Sequence, residues 1–442
     1  MLKTFSIGGI HPAENKLSAG RKIKELPLPE SVTIPVSQHL GAPAKIVVNR
    51  GDSVKIGQLL AQGDGFVSAN IHSSVSGIIE KIDKVLDSSG YRRDAIVIKV
   101  EGNEWEPGID QSSEVVKDFN ISGEEIINKI KDAGIVGLGG ATFPSHVKLS
   151  VPPGKKAEVI VINGVECEPY LTSDHALMLE KGEEIIVGIK ILMKALDVNK
   201  ALIGIENNKP DAIDHLKDII GKDTSVEVHP LKTQYPQGGE KQLIDALLKR
   251  QVPSGGLPVD VGVVAFNVGT VFSVYEAVIK NKPLVERIVT VTGGSLKDPS
   301  NFKVRLGTSV AYLIESAGGI SEDCGKIING GPMMGKALAD PEVPVVKGTS
   351  GILLLAESVS KRKPVENCIR CSKCVSVCPM GLEPYLLMAL GEREIFDRLE
   401  SEKVTDCIEC GSCSYTCPSS RPLLDYIRFG KTNVIKIIRS RK

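Results

Sequence analysis

The sequence predicts a multidomain α/β and α+β chain. Three observations carry this. At 442 residues the chain exceeds what one ordinary core serves. Its pattern changes along its length, from short β-type runs to alternating strands and helices. It then closes on eight cysteines in two runs of four. Hydrophobic content of 42% and charged content of 24% are globular values, and the formal net charge is zero. That balance predicts no nucleic-acid partner, since such binding leans on a positive field. Met1 to Phe5 lacks a secretory apolar core, and no stretch is long and apolar enough to span a membrane.

Residues 1–105 hold short β-type runs between turn residues. Ala44-Lys45-Ile46-Val47-Val48 leads into Gly51-Asp52, and Gly57-Gln58-Leu59-Leu60-Ala61 into Gly63-Asp64-Gly65. With Ile71 to Ile79 following, this resembles the barrel-sandwich fold of lipoyl and biotinyl carrier domains. Those domains attach a cofactor to a hairpin-tip lysine. Here the tip reads Phe66-Val67-Ser68-Ala69-Asn70, so no swinging arm is expected. Residues 104 to 120, with the single Trp105, read as a linker.

Residues 118–284 read as an α/β domain. Ile126, Ile127 and Ile130 mark a helix ending near Gly134. A loop follows, Gly137-Leu138-Gly139-Gly140-Ala141-Thr142-Phe143-Pro144, then an apolar strand ending at Asn163. Helical patterns near 173–196, 209–220, 239–250 and 271–281 alternate with β-type runs near 200–205, 225–230 and 260–267, which predicts a largely parallel sheet. Residues 285–345 suggest a small β-grasp unit with a turn-rich Asn329 to Gly335. Lys361-Arg362-Lys363-Pro364 reads as a hinge, 361–430 as a cysteine-rich helical domain, and 431–442 as a basic tail.

In that last domain Cys368-x-x-Cys371-x-x-Cys374-x-x-x-Cys378-Pro379 is followed by Cys407-x-x-Cys410-x-x-Cys413-x-x-x-Cys417-Pro418. This is the bacterial ferredoxin spacing, repeated. Zinc sites favour two CxxC pairs with a long spacer, and disulfides suit secreted chains. Two [4Fe–4S] clusters are therefore expected. In such a fold the fourth cysteine of each run crosses to the other cluster. Cys368, Cys371 and Cys374 pair with Cys417, and Cys407, Cys410 and Cys413 with Cys378.

The glycine loop precedes its strand, so it is not a dinucleotide fingerprint. Lys148, Asn163 with Glu166 and Glu168, Gly238-Gly239-Glu240, and Asn267 with Thr270 fall near the ends of apolar elements, where a doubly wound sheet forms its crevice. In this order, with Gly8-Gly9-Ile10-His11-Pro12, Asn329-Gly330-Gly331-Pro332-Met333-Met334-Gly335 and the twin cysteine runs, the chain resembles the flavin- and NADH-binding subunit of respiratory complex I. More closely still it resembles the RnfC family of the Rnf ion-translocating ferredoxin:NAD oxidoreductase complexes.

The resemblance implies non-covalent FMN, NAD(H) as substrate, an SLBB-like β-grasp domain and a two-cluster ferredoxin-like domain. It assigns Gly137, Gly139, Gly140, Lys148, Asn163, Glu166, Glu168, Gly238, Gly239, Glu240, Asn267 and Thr270 to the flavin and nucleotide, and Phe143 to stacking on the nucleotide. Complex I's loop arginine, an aspartate and a tryptophan are Leu138, Val165 and Leu149 here. The implied partners are membrane-embedded and ferredoxin-like Rnf subunits. The implied location is peripheral, on the cytoplasmic face of the membrane. A flavin and iron–sulfur cobalamin reductase, or a non-enzymatic electron relay, is the alternative.

Overall fold

The computed structural model describes residues 2–441. Its barrel-sandwich pairs Ser31–Pro35, Arg92–Val100, Gly77–Leu86 and Ser53–Val54 in one antiparallel sheet, and Lys45–Ile46, Leu59–Gln62 and Ile71–His72 in another. Alternate residues such as Val32 and Ile34, or Ile96 and Ile98, point into the core between them.

The α/β sheet is wholly parallel, in the order Val226–Leu231, Ala201–Glu206, Val159–Asn163, Val263–Asn267. Its middle strands are buried on both faces, which is why they read as unbroken apolar runs. Helices Gly182–Leu196 and Val268–Ile279 cover one face and Glu240–Leu248 the other. Asn163 lies in register with Asn267, so two amides share the carboxyl edge of the sheet.

Three boundaries differ from expectation. The barrel strands begin near 31, because the preceding segment belongs elsewhere. Ile23–Glu25 adds a parallel edge strand to the β-grasp sheet beside Ser300–Arg305, Lys3 bridges Leu231, and Ile10 bridges Tyr235. The β-grasp unit runs on to a strand at Gly351–Ala356. The expected basic tail is the second half of helix Leu423–Ser440, with Val434 fully buried and Ile438 packed on the same core. The linker is pinned too. Trp105 lies under the Arg305 guanidinium, 4.7 Å from its centroid, on the wall of a cavity of about 420 Å³. Charges there satisfy one another, as in Lys280–Asp110 and Lys282–Glu286, both at 2.5 Å.

Three units meet at Lys347. Its buried ammonium donates to the carbonyls of Asn70 on the barrel tip and Gly134 at a helix end, each at 2.7 Å. Burial without a carboxylate partner draws its pKa down to about 7. An unfolded lysine titrates near 10.4, so between pH 7 and about 10 the unfolded chain holds the extra proton. Stability then rises with pH by up to ~1.4 kcal/mol per unit and is flat below that window. Lys347→Met is expected to flatten the rise in urea midpoint between pH 7 and 9. An unchanged slope would show that this lysine stays charged when folded.

Candidate functional site

The glycine loop is closed at its base, where the Gly137 N–H donates to the Phe143 carbonyl at 2.9 Å. Phe143 is half-buried there, while Gly139 and Gly140 are exposed. Leu138 turns inward instead. Its N–H donates to the Thr270 hydroxyl at 2.9 Å, and the buried Arg287 donates to its carbonyl at 3.2 Å. Gly139 presses on Asn267, and a Cβ there would stand 2.8–2.9 Å from that side chain. Asn267 has no slack. Its oxygen caps helix Val268–Ile279 through the Gly269 N–H at 2.9 Å, and its amide donates to Asp174 at 2.6 Å. Burial and the neighbouring Glu166 raise the Asp174 pKa to about 7.

Across the crevice, Lys148 on the short helix Ser145–Leu149 lies 2.8 Å from Glu240 and 3.0 Å from the Ala265 carbonyl. Asn163 donates to the Gly238 carbonyl at 2.8 Å and accepts from the Val165 N–H at 3.1 Å. It thereby ties its strand end to the Gly238-Gly239 turn. A Cβ on Gly238 would meet the Cys167 sulfur at 3.2 Å. Gly137, Gly139, Gly140, Lys148, Asn163, Gly238, Gly239, Glu240, Asn267 and Thr270 thus gather at one sheet edge. A partly exposed lysine, bare backbone and two helix N-termini suit a flat ligand bearing phosphate, and FMN fits that donor set.

The acidic segment also makes contacts within the chain. Glu166 turns back at φ +47° and caps helix Ser173–Glu180, accepting from the N–H groups of Asp174 at 2.8 Å and His175 at 3.1 Å. Glu168 is half-buried and accepts from the N–H groups of Met333 at 3.1 Å and Met334 at 2.8 Å. Desolvation pushes its pKa up to about 7. The two carboxylates tie this segment to the start of helix Ser173–Glu180 and to the loop at Met333 and Met334. The turn at Asn329 to Gly335 is the loop that Glu168 clasps.

The structure brings one cysteine of the first run among those of the second. Cys378 joins Cys407, Cys410 and Cys413 around one cavity lined mostly by apolar side chains, including Met380, Leu387 and Ile408, with the Ser412 hydroxyl beside Cys410. Cys374 and Cys417 are half-buried and pack on the apolar core of the same domain. Among the described residues no three ligating side chains gather tightly enough for a single ion. The two runs repeat in conformation as well as in spacing. Arg370 and Ser372 take left-handed angles at the positions matched by Glu409 and Gly411. Burial raises the Cys407 thiol to about 11 and the Cys413 thiol to about 12, so holding them as thiolates takes a bound cation, which iron supplies. The N–H groups of Leu382 and Glu409 donate to the sulfurs of Cys378 and Cys407, both at 3.4 Å.

This cavity abuts the α/β domain. The Tyr235 hydroxyl donates to the Cys410 carbonyl at 2.8 Å, and Gln242 donates to the Pro379 carbonyl at 3.2 Å. The first turn of helix Glu240–Leu248 therefore touches both places, Glu240 the crevice and Gln242 the cavity.

Comparison with known proteins agrees with this architecture. Residues 3–103 match the RnfC barrel sandwich hybrid domain, 130–276 the Nuo51 FMN-binding domain, 288–337 the SLBB domain and 360–419 the 4Fe-4S dicluster domain. The chain is 47% identical to the C subunit of the proton-translocating ferredoxin:NAD(+) oxidoreductase complex of Clostridium ljungdahlii, over 98% of this chain and 94% of that one. It belongs to the RnfC family. Other RnfC relatives include the C subunit of the Na(+)-translocating ferredoxin:NAD(+) oxidoreductase complex of Acetobacterium woodii, 45% identical over 97% and 96% of the two chains. The C subunit of the ion-translocating oxidoreductase complex of Rhodobacter capsulatus is 41% identical over 88% and 75%. As an RnfC protein the chain is one member of a larger complex, with FMN and [4Fe–4S] clusters as its cofactors. Among the described residues no helix is long and apolar enough to cross a membrane.

Sequence reasoning missed Tyr235, Gln242 and Lys431, whose ammonium donates to the Cys407 carbonyl at 2.8 Å. Of these, only Lys431 had a signal. It follows Ile427 by four residues, and Val434 continues that apolar spacing, which marks a packed helix.

Proposed function

We propose that this chain carries electrons between NAD(H) and the rest of an Rnf complex, through FMN in the crevice and then the two clusters. The observation that carries this reading is the shared helix. Glu240 and Gln242 on one turn touch the crevice and the cluster cavity, which makes the transfer path short. Bound FMN supplies the exchange between a hydride's electron pair and single electrons. The chain's own part is to bind and orient. Lys148 and the bare backbone of Gly139 and Gly140 receive negative charge, and Asn163 and Asn267 fix the floor. Phe143, at the mouth of the loop, is the residue we assign to the nicotinamide nucleotide. The cluster on Cys407, Cys410, Cys413 and Cys378 then lies nearer the flavin, and that on Cys368, Cys371, Cys374 and Cys417 lies outermost. Ion movement belongs to membrane-embedded partner subunits, with this chain peripheral on their cytoplasmic side.

Protein loaded with FMN, iron and sulfide is expected to oxidise NADH with an artificial acceptor, and NADH is expected to bleach both clusters. Glu240→Ala, which frees Lys148, should cut turnover at least tenfold with the iron content unchanged. Absence of any NADH-dependent reduction in fully loaded protein would sink the reading.

A further inference from the structure

The two cluster sites are unequally covered. Cys407, Cys410, Cys413 and Cys378 are sheltered by the α/β domain and helix Leu423–Ser440. In contrast, every residue from Lys361 to Lys373 is exposed, including the ligands Cys368 and Cys371. The segment is nonetheless held in place. The Glu366 N–H donates to the Ser419 carbonyl at 3.0 Å, the Ser419 hydroxyl donates to the Asn367 carbonyl at 2.9 Å, and Arg362 pairs with Asp425 at 2.7 Å.

Two features of this surface call for a partner. Val359, Val365 and Ile369 are 69%, 56% and 67% exposed, an apolar group close in sequence to the two open thiols. Around them the chain carries Lys361, Arg362, Lys363, Arg370 and Lys373 against one acid, Glu366. Only Arg362 of the five has a carboxylate partner among the described residues. Unpaired cations interspersed along the segment with exposed apolar side chains are the complement of an acidic partner surface with apolar contacts.

We propose that Val359–Lys373 is the docking face for an acidic redox protein of the same complex, one that presents Asp and Glu around an apolar patch and carries its own one-electron centre. This rests on the function proposed above, electron transfer between NAD(H) and the complex. One electron crosses from the cluster on Cys368 and Cys371 to that centre, or back, with no bond made or broken. Docking also removes the two open thiols from water. A second copy of this chain is a poor occupant, because a two-fold contact would set four unpaired cations against four.

The test uses the full, cofactor-loaded chain and membranes holding the remaining subunits. Lys361→Glu with Lys363→Glu reverses two of these charges outside the cysteine run. Binding of wild type to those membranes is expected to weaken with salt. The double variant should bind at least tenfold more weakly at low salt, with NADH:ferricyanide turnover and iron content unchanged. Carbodiimide coupling should join Lys361 or Lys363 to an Asp or Glu of one partner protein. Equal binding of the variant would overturn the proposal. So would equal binding of wild type to protein-free phosphatidylglycerol vesicles, or a chain dimer that the variant abolishes. Loss of NADH oxidation in wild type would fault the proposed NADH-linked function itself, whereas intact oxidation with unaltered docking faults only this face.

Discussion

Gly139→Val is expected to leave the protein with less than about a tenth of its FMN and no measurable NADH turnover, while about eight irons per chain remain. The first β-carbon already lies 2.8–2.9 Å from the Nδ2, Cβ and Cγ atoms of Asn267, closer than packed carbons stand. Asn267 is held from two sides, as the cap of helix Val268–Ile279 and as donor to Asp174. If it gives way, a cap worth ~1 kcal/mol goes with it. If it does not, the loop must lift off the sheet edge, and overpacking of this kind typically costs about 1–3 kcal/mol. Either outcome removes the backbone surface meant for the ligand. Gly140 provides the control, because a Cβ there meets nothing within 4 Å. Gly140→Ala should keep most of its flavin. Full flavin content in Gly139→Val would remove this loop from the site.

Cys417→Ser is expected to disable the cluster built on Cys368, Cys371 and Cys374, and Cys378→Ser the one built on Cys407, Cys410 and Cys413. Each should lower iron from about eight to about four per chain. The geometry behind this is the placement of Cys378 among the second run's thiols, with Cys374 and Cys417 packed on the apolar core of the same domain. The variants should differ in a further way. The Gly9 N–H donates to the Val377 carbonyl at 2.9 Å, and a Cβ on Gly8 would lie 2.6 Å from the Cys378 carbonyl. Losing the inner cluster therefore loosens the domain's seat as well, and Cys378→Ser should be more readily cleaved by protease near Val377. Electron paramagnetic resonance of the two reduced variants decides the assignment. If each serine abolished the signal of its own run, ligation would be uncrossed.

Much of this was legible because the chemistry is local. Ferredoxin spacing lies within eleven residues per run, and the Val159 to Ile162 and Val263 to Phe266 runs can scarcely be anything but buried parallel strands. The glycine loop, Lys148 and the two asparagines were legible through their order along the chain. What escaped depends on partners far away in sequence. Glu166 and Glu168 have the same side chain two residues apart, yet one caps a helix and the other reaches residue 334. Tyr235 meets Cys410 across 175 positions, and no periodicity encodes that. The last helix is a different kind of miss. Its apolar positions 427, 434 and 438 follow helical spacing, but the charges between them read as a solvated end.

The segment from Lys3 to Glu25 has a consequence for how the protein is made. These residues are made before their partners, which are Leu231, Tyr235, Asn301 to Lys303 and Val377. The bridges of Lys3 and Ile10 wait for Leu231 and Tyr235, and the Gly9 hydrogen bond waits for Val377. Barrel, α/β sheet and β-grasp can each collapse during synthesis, but closure between them comes at the end, and contacts of such long range form slowly. Iron–sulfur assembly would then meet a cysteine domain not yet seated against Gly8 and Gly9. In that interval the face of the cysteine domain at Val377 and Cys378 stays open, until Gly8 and Gly9 close on it.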